Sequence, residues 1–180
     1  MQSDTDSLSS SSGVRKRLLP KDCPNPAPLA GEIDVARHAI LAHTSGDPDH
    51  PIENLMDGRY GRRSTFWAGA KPDIPERIVV EFDQPRSVSR VIHEVEECFC
   101  GRTQEVRVEV SSDGARTYRQ VLIQEFTFSP AGATFQCEER PSSLPSITHL
   151  RLTVVADEHG SGPGKLDSLR LFASESRRDT

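Results

Sequence analysis

Histidine, serine and cysteine side chains build most hydrolytic and acyl-transfer centres, and this sequence contains them without a catalytic arrangement. The six histidines show no HExxH or HxxxH spacing, which would place two imidazoles on one side of a helix. None of them pairs recognisably with a serine or cysteine nucleophile. We therefore predict that the chain is not an enzyme. The histidines are His38, His43, His50, His93, His149 and His159.

The four cysteines lack the patterns of a zinc site or a disulfide framework. Cys98 and Cys100 form a C-x-C pair, and Cys23 and Cys137 lie far from it, whereas zinc sites use C-x₂₋₄-C pairs. No CxxC occurs, and the cysteines are too sparse for a secreted disulfide scaffold. We expect partly buried free thiols in a reducing compartment.

Two charged stretches offer non-covalent chemistry instead. One is Arg59-Tyr60-Gly61-Arg62-Arg63, and the other runs from Glu96 to Arg102. Guanidinium and carboxylate groups hydrogen-bond hydroxyls, and the rings of Tyr60 and Phe99 can stack on the apolar face of a ligand. The same arginines can hold phosphates. The competing interpretation is a pair of solvated charged loops, since charged residues are exposed by default.

Composition restricts the partners that such stretches can serve. The chain has 180 residues, with 22 Lys+Arg against 27 Asp+Glu, a net charge of −5 and a mean hydropathy of −0.53. This balance argues against a protein held to nucleic acid by bulk charge, although a local basic patch is compatible with it. No apolar run approaches the roughly 18 residues of a membrane span, and the start lacks the apolar core of a signal peptide. We expect a cytoplasmic protein.

The chain divides into a tail and one domain. Residues 1–30 contain Ser, Asp, Lys, Arg and four prolines with little to bury, which predicts a disordered polar tail. The basic run at residues 14–17 within it is expected to be solvated rather than a docking patch. Residues 174–180 are predicted to be a frayed terminus. Residues 31–173 remain as one domain's length of chain.

Short β-branched runs bounded by turn residues recur through this domain. Val106, Val108 and Val110 alternate with charged residues, which places the three valines on one face of a strand. Asp113-Gly114 then supplies the chemistry of a hairpin turn. The spacing predicts an all-β, antiparallel sandwich. The predicted strands cover 77–82, 88–95, 105–110, 118–123, 134–138, 149–155 and 169–172.

Two further segments of the domain bear on where its strands begin and end. Asp83-Gln84-Pro85 is expected to end the first strand, because aspartate and proline favour turns. Residues 33–42 fit a helix and a strand about equally well.

Four motifs in order resemble a known family. Glu53-Asn54-Leu55-Met56-Asp57-Gly58 followed by Thr65-Phe66-Trp67 resembles the signature of coagulation-factor type C (discoidin) domains. Residues 78–82, 101–114 and 149–152 with 166–172 are similar to later strands of that family. The resemblance covers about residues 33–173 and implies a galactose-binding-like β-sandwich jelly roll. Asp57-Gly58 also suits a chain reversal, and Trp67, the only tryptophan, is expected in the core.

The resemblance also implies a possible structural calcium ion. In sugar-binding relatives the loop matching Asp57 to Thr65 holds calcium and is closed by a glutamate from the last strand. Asp57 and Thr65 are present, but the glutamate position is Ser168, beside Asp167. Calcium takes six to eight oxygen ligands, and the three arginines of the loop repel a dication.

The ligand expected from the resemblance is a carbohydrate bound at the loop end of the sandwich. The galactose-contacting residues of the relatives are missing, since Ala68-Gly69-Ala70 and Glu96-Glu97 stand in their places. An intracellular protein-docking module is the alternative. Binding to nicked or single-strand-break DNA ranks third, suggested by a repair scaffold of similar fold that shares the Glu53-Asn54-Leu55 segment. The predicted ligand-binding residues are Arg59, Tyr60, Arg62, Arg63, Phe99 and Arg102.

Overall fold

Antiparallel strands make up nearly all of the regular structure. The computed structural model describes residues 28–72, 74–156 and 162–174, so most of the predicted tail, its basic run and the end of the predicted frayed terminus lie outside the described residues. The strands are β1 (Ala39–His43), β2 (Trp67–Ala68), β3 (Glu76–Glu96), β4 (Arg102–Ser111), β5 (Arg119–Phe128), β6 (Phe135–Ala156), β7 (Lys165–Leu166) and β8 (Ser168–Ala173).

Two long strands, β3 and β6, run antiparallel to each other along their whole length and connect the two layers of the sandwich. Their register shifts between Glu81 and Arg90, and such bulges let a strand bend from one layer into the other. β1, β4 and β5 join the layer formed by the first half of β3 and the second half of β6. β8 pairs with the second half of β3. The all-β jelly-roll prediction is confirmed.

The predicted strand end at Asp83-Gln84-Pro85 was wrong. β3 continues through these residues, and the predicted strands 77–82 and 88–95 are one strand. Pro85 is tolerated because it lies where the register shifts, a place where no ladder hydrogen bond is required of it. In the same way, the predicted strands 134–138 and 149–155 are both parts of β6.

Helical structure among the described residues is limited to two single turns. α1 (Val35–His38) is capped by the Asp34 side chain, which accepts a hydrogen bond from the Arg37 N–H at 3.2 Å. Residues 33–42 are therefore partly helix and partly β1. A 3₁₀ helix covers Ile52–Met56. In the described part of the chain, no helix has the length and apolar character needed to cross a membrane.

The core lies between the layers and contains the residues predicted for it. Val106, Val108 and Val110 are all at least 97% buried, and Trp67 has no exposed surface. Leu152 is at the centre, paired with Ile78 of β3 on one side and Val108 of β4 on the other. The alternating pattern and the position of Trp67 are thus confirmed.

Replacing Leu152 tests its position in the core. Leu152→Ala is expected to lower the free energy of unfolding by about 2–5 kcal/mol, because it opens a cavity between two filled strands. Ile40→Ala is the control, because Ile40 lies on β1 and is 61% exposed, and it should change stability by less than about 1 kcal/mol. Urea denaturation measures both. Equal losses in the two variants would contradict the central position of Leu152 in the core.

Candidate functional site

The arginine loop, residues 57–66, connects the 3₁₀ helix to β2 and is tied together at its ends. The Asp57 carboxylate accepts a hydrogen bond from the Arg59 N–H at 2.9 Å and another from the Thr65 hydroxyl. Gly58 and Gly61 have φ values of 76° and 79°, which glycine adopts without strain. The predicted reversal at Asp57-Gly58 is confirmed.

Two buried carboxylates on β3 hold the middle of the arginine loop. Glu94 accepts hydrogen bonds from the Gly61 N–H at 2.9 Å and from the Ser168 hydroxyl at 2.8 Å. Glu96 accepts the Arg63 N–H at 2.5 Å. Residues two apart on a strand share a face, so both carboxylates point towards the same loop. The competing interpretation of the stretch that begins at Glu96 was a solvated loop, but Glu96 is only 9% exposed, and Glu94, within the predicted strand 88–95, is 5% exposed.

A cavity of about 390 Å³ opens between the arginine loop and the Phe99 loop, which we define as residues 97–101. This volume is within the range of small-ligand pockets. Phe99 is 95% exposed and forms one wall. The lining residues are Arg63, Ser64, Phe66, Glu96, Cys98, Phe99, Lys165 and Asp167.

The wall that Phe66 contributes is built from stacked groups. One partner of the Phe66 ring is His50, whose ring centroid is 4.1 Å away and nearly parallel. The Lys165 ammonium lies 4.0 Å from the ring centroid in cation–π geometry and 3.8 Å from the Asp167 carboxylate. The cavity therefore combines aromatic surface with fixed hydrogen-bond donors and acceptors.

Asp167 is a buried acid beneath this cavity. Burial raises its pKa to about 6, against the opposing effects of Lys165 and of the Glu96 N–H, which donates to it at 3.0 Å. The Ser64 hydroxyl lies 3.5 Å from its second oxygen. The raised pKa means that the folded state binds the Asp167 proton more tightly than the unfolded state does.

Of the predicted ligand-binding residues, Arg63 and Phe99 are brought to the cavity. Arg62 lies beside it, where its guanidinium donates to the Thr134 hydroxyl at 2.9 Å and is 3.6 Å from Glu96. Arg59 is largely exposed, 3.9 Å from Asp57, and does not line the cavity.

Tyr60 belongs to a different part of the surface. Its hydroxyl is 3.3 Å from the Glu32 carboxylate, and the Arg170 guanidinium lies 4.1 Å from its ring centroid. It lines a separate depression that also includes Pro28 and Ile33. The structure therefore separates Tyr60 from Phe99.

Arg102 requires a correction, because it is only 5% exposed and cannot present its guanidinium to a ligand. Its side chain lies 3.4 Å from the Glu97 carboxylate and donates to the Pro163 carbonyl at 2.7 Å. Glu97 in turn accepts the Phe99 N–H at 3.0 Å. Arg102 therefore positions the Phe99 loop from within the domain.

The side chains around Asp57 and Thr65 do not fit calcium. These two groups are hydrogen-bonded to each other, and the Arg59 guanidinium lies beside the Asp57 carboxylate. Glu94 and Glu96, two further acids that contact the loop, accept its backbone N–H groups. Within residues 28–72, 74–156 and 162–174, no three His, Cys, Asp or Glu side chains are grouped to hold a metal ion.

Comparisons with known proteins agree with this architecture. The family model for the F5/8 type C domain matches residues 39–161. No curated protein matches the sequence.

Several solved structures of similar fold are carbohydrate-binding modules. The family 32 module of Clostridium perfringens NanJ, in complex with galactose, has 14% identity and a TM-score of 0.57, covering 79% of this chain and 98% of that one. A module from a C. perfringens family 31 glycoside hydrolase has 18% identity and a TM-score of 0.58, covering 82% and 100%. The module of AlyQ, in complex with 4,5-unsaturated mannuronic acid, has 16% identity and a TM-score of 0.56, covering 76% and 96%. At these identities the likeness shows the fold.

The Asp167→Asn variant should be more stable than the parent chain at neutral pH. The folded-state pKa of Asp167 is above its ordinary value of 3.8, so its ionisation destabilises the fold as the pH rises from about 4 to 6. The advantage of the variant should therefore be near zero at pH 4 and reach its full size, at most about 3 kcal/mol, above pH 6. Urea denaturation across this range measures it. An advantage that does not change with pH would contradict the raised pKa.

Calcium should leave the melting temperature unchanged. Asp57 and Thr65 offer one carboxylate and one hydroxyl, and the Arg59 guanidinium lies 3.9 Å from that carboxylate, so we expect too little affinity for calcium to shift the unfolding equilibrium. Thermal melts in millimolar CaCl₂ and in EDTA provide the comparison. A higher melting temperature in calcium, lost on chelation, would show that main-chain carbonyls complete a site.

Proposed function

We propose that this chain, which belongs to the F5/8 type C domain family, is a non-catalytic module that binds carbohydrate in the cavity between the arginine loop and the Phe99 loop. The observation that carries the proposal is the nearly complete exposure of Phe99 at the wall of a cavity lined by charged groups. A ring that is exposed to this extent contributes little to the core and is free to pack against a ligand.

The aromatic and polar parts of the cavity are complementary to the apolar face and the hydroxyl-bearing edge of a sugar ring. A pyranose has an apolar face of C–H groups that packs on an aromatic ring, and Phe99 offers such a ring. Its hydroxyls need donors and acceptors around the edge, which Arg63, Lys165 and Glu96 supply. Fixed polar groups around an apolar surface are typical of small-ligand sites.

The solved structures of similar fold support a carbohydrate ligand. Those of the NanJ and AlyQ modules contain galactose and an unsaturated mannuronic acid, respectively. The galactose-contacting residues that the family resemblance implies are missing at Ala68 to Ala70, so this support does not identify the sugar.

The alternatives have no particular observation in their favour. Phosphates of nicked DNA would require Arg59, Arg62 and Arg63 as free cations. However, Arg62 is 3.6 Å from Glu96, and Arg59 is 3.9 Å from Asp57. A protein-docking role and the cytoplasmic localisation stay predictions from the sequence.

Removing the Phe99 ring should abolish most binding without affecting the fold. Phe99→Ala is expected to weaken sugar binding by about ten- to hundredfold, the equivalent of burying one large apolar side chain, while the melting temperature stays the same. A glycan array probed with the full chain identifies the sugar, and calorimetry on that sugar gives the affinities.

Ile40→Ala is the control, because it also removes an exposed apolar side chain, but one outside the cavity. Silence on every glycan spot would reject the proposed function. Equal binding by the parent chain and Phe99→Ala would reject this cavity as the site. Binding confined to nicked DNA spots, with steep salt dependence, would replace the sugar by nucleic acid.

A further inference from the structure

We infer that the cavity selects sugars that carry a carboxylate, and that Arg63 is the residue that determines this selectivity. The inference rests on the proposed function and specifies the ligand class of the same cavity. Its basis is the combination of an unpaired guanidinium at the cavity with a backbone conformation that holds it there.

Arg63 occupies a conformation that suits glycine better than arginine. Its φ is 62°, in the left-handed region, where a Cβ is crowded by the neighbouring carbonyl. Gly58 and Gly61 fill the two other positive-φ positions of the same loop. Residues held in such strained conformations cluster at active sites and ligand-binding loops. The Arg63 N–H bond to Glu96 maintains the conformation.

The charges around the cavity leave Arg63 without a partner. Lys165 lies 3.8 Å from Asp167, and Arg62 lies 3.6 Å from Glu96. Arg63 forms no salt bridge with any other residue in the described part of the chain, and its side chain is exposed. Each acid of the cavity is thus matched by a nearby cation, and the Arg63 guanidinium is the remaining charge.

A guanidinium with open solvent on one side is suited to a planar anion. Its parallel N–H groups donate two hydrogen bonds to one carboxylate, an arrangement that is stronger than bonds to a neutral hydroxyl. A uronate stacked on Phe99 would present such a group at the ring edge. A sulfate ester carries the same charge in tetrahedral geometry, so sulfated sugars form a separate arm of the test.

The test compares acids with their own methyl esters. Galacturonate, glucuronate and mannuronate oligomers are titrated into the full chain by calorimetry, each beside its methyl ester, with galactose and sulfated galactose oligomers as further arms. We expect at least one free acid to bind about ten- to hundredfold more tightly than its ester, because the ester keeps the ring and removes the charge.

Variants of Arg63 assign the preference to this residue. Arg63→Gly should remove the difference between acid and ester while leaving the melting temperature equal or higher, since glycine relieves the left-handed strain. Arg63→Asn, which also tolerates this conformation, serves if the glycine variant folds poorly. Arg116→Ala removes an exposed arginine from the β4–β5 connection, outside the cavity, and should keep the full preference.

The outcomes separate this inference from the proposed function. Equal binding of an acid and its ester, a preference for sulfated over carboxylated sugars, or a preference that survives in Arg63→Gly would each overturn the carboxylate selectivity while sugar binding stands. Absence of binding to every oligomer, neutral or charged, would overturn both.

Discussion

The burial of two carboxylates on β3 is the constraint from which the geometry of the site follows. Glu94 and Glu96 lie almost out of contact with water, where an ionised group without partners costs several kcal/mol. Their partners are backbone N–H groups of the arginine loop, at Gly61 and Arg63. Such charge-assisted bonds contribute about 1.5–3 kcal/mol each, enough to select one loop conformation among many. The left-handed backbone of Arg63 is a consequence of this selection.

The opposite side of the cavity depends on a buried ion pair. Arg102 and Glu97 lie 3.4 Å apart inside the domain, and Glu97 also accepts the N–H of Phe99. The Glu97 carboxylate therefore fixes the backbone of Phe99, whose side chain is almost fully exposed. A rigid support beneath an exposed aromatic ring reduces the entropy that would be lost on binding a ligand. Buried charged groups thus position both loops of the cavity: Glu94 and Glu96 hold the arginine loop, and the Arg102–Glu97 pair holds the Phe99 loop.

The long strands explain why these groups meet. β3 carries Glu94 and Glu96 at its end, and the adjoining segment places Glu97 and Phe99 immediately beyond them. β8 begins at Ser168, next to Asp167, and pairs with the same end of β3. The Glu96 N–H is consequently within 3.0 Å of the Asp167 carboxylate, although the two residues are 71 positions apart. The groups of the site are all attached to the same end of β3, which fixes the distances between them.

Local patterns determined the class of fold and several of its details. The alternation of Val106, Val108 and Val110, the turn at Asp113-Gly114, the reversal at Asp57-Gly58 and the core position of Trp67 all follow from neighbouring residues, and all are found. The selection of site residues could not be complete, because it depends on contacts between distant segments. Arg63 and Phe99 meet at one cavity, whereas Tyr60 turns to Glu32 and Arg102 is buried against Glu97.

The burial of Glu94 and Glu96 could not be read from the sequence either. Their partners are the N–H groups of a loop that lies 33 residues earlier in the chain, and no residue near the two glutamates indicates that this loop will reach them. Periodicity and turn chemistry are properties of consecutive residues, but the burial of a charge is decided by whichever hydrogen-bond donors the tertiary structure brings to it.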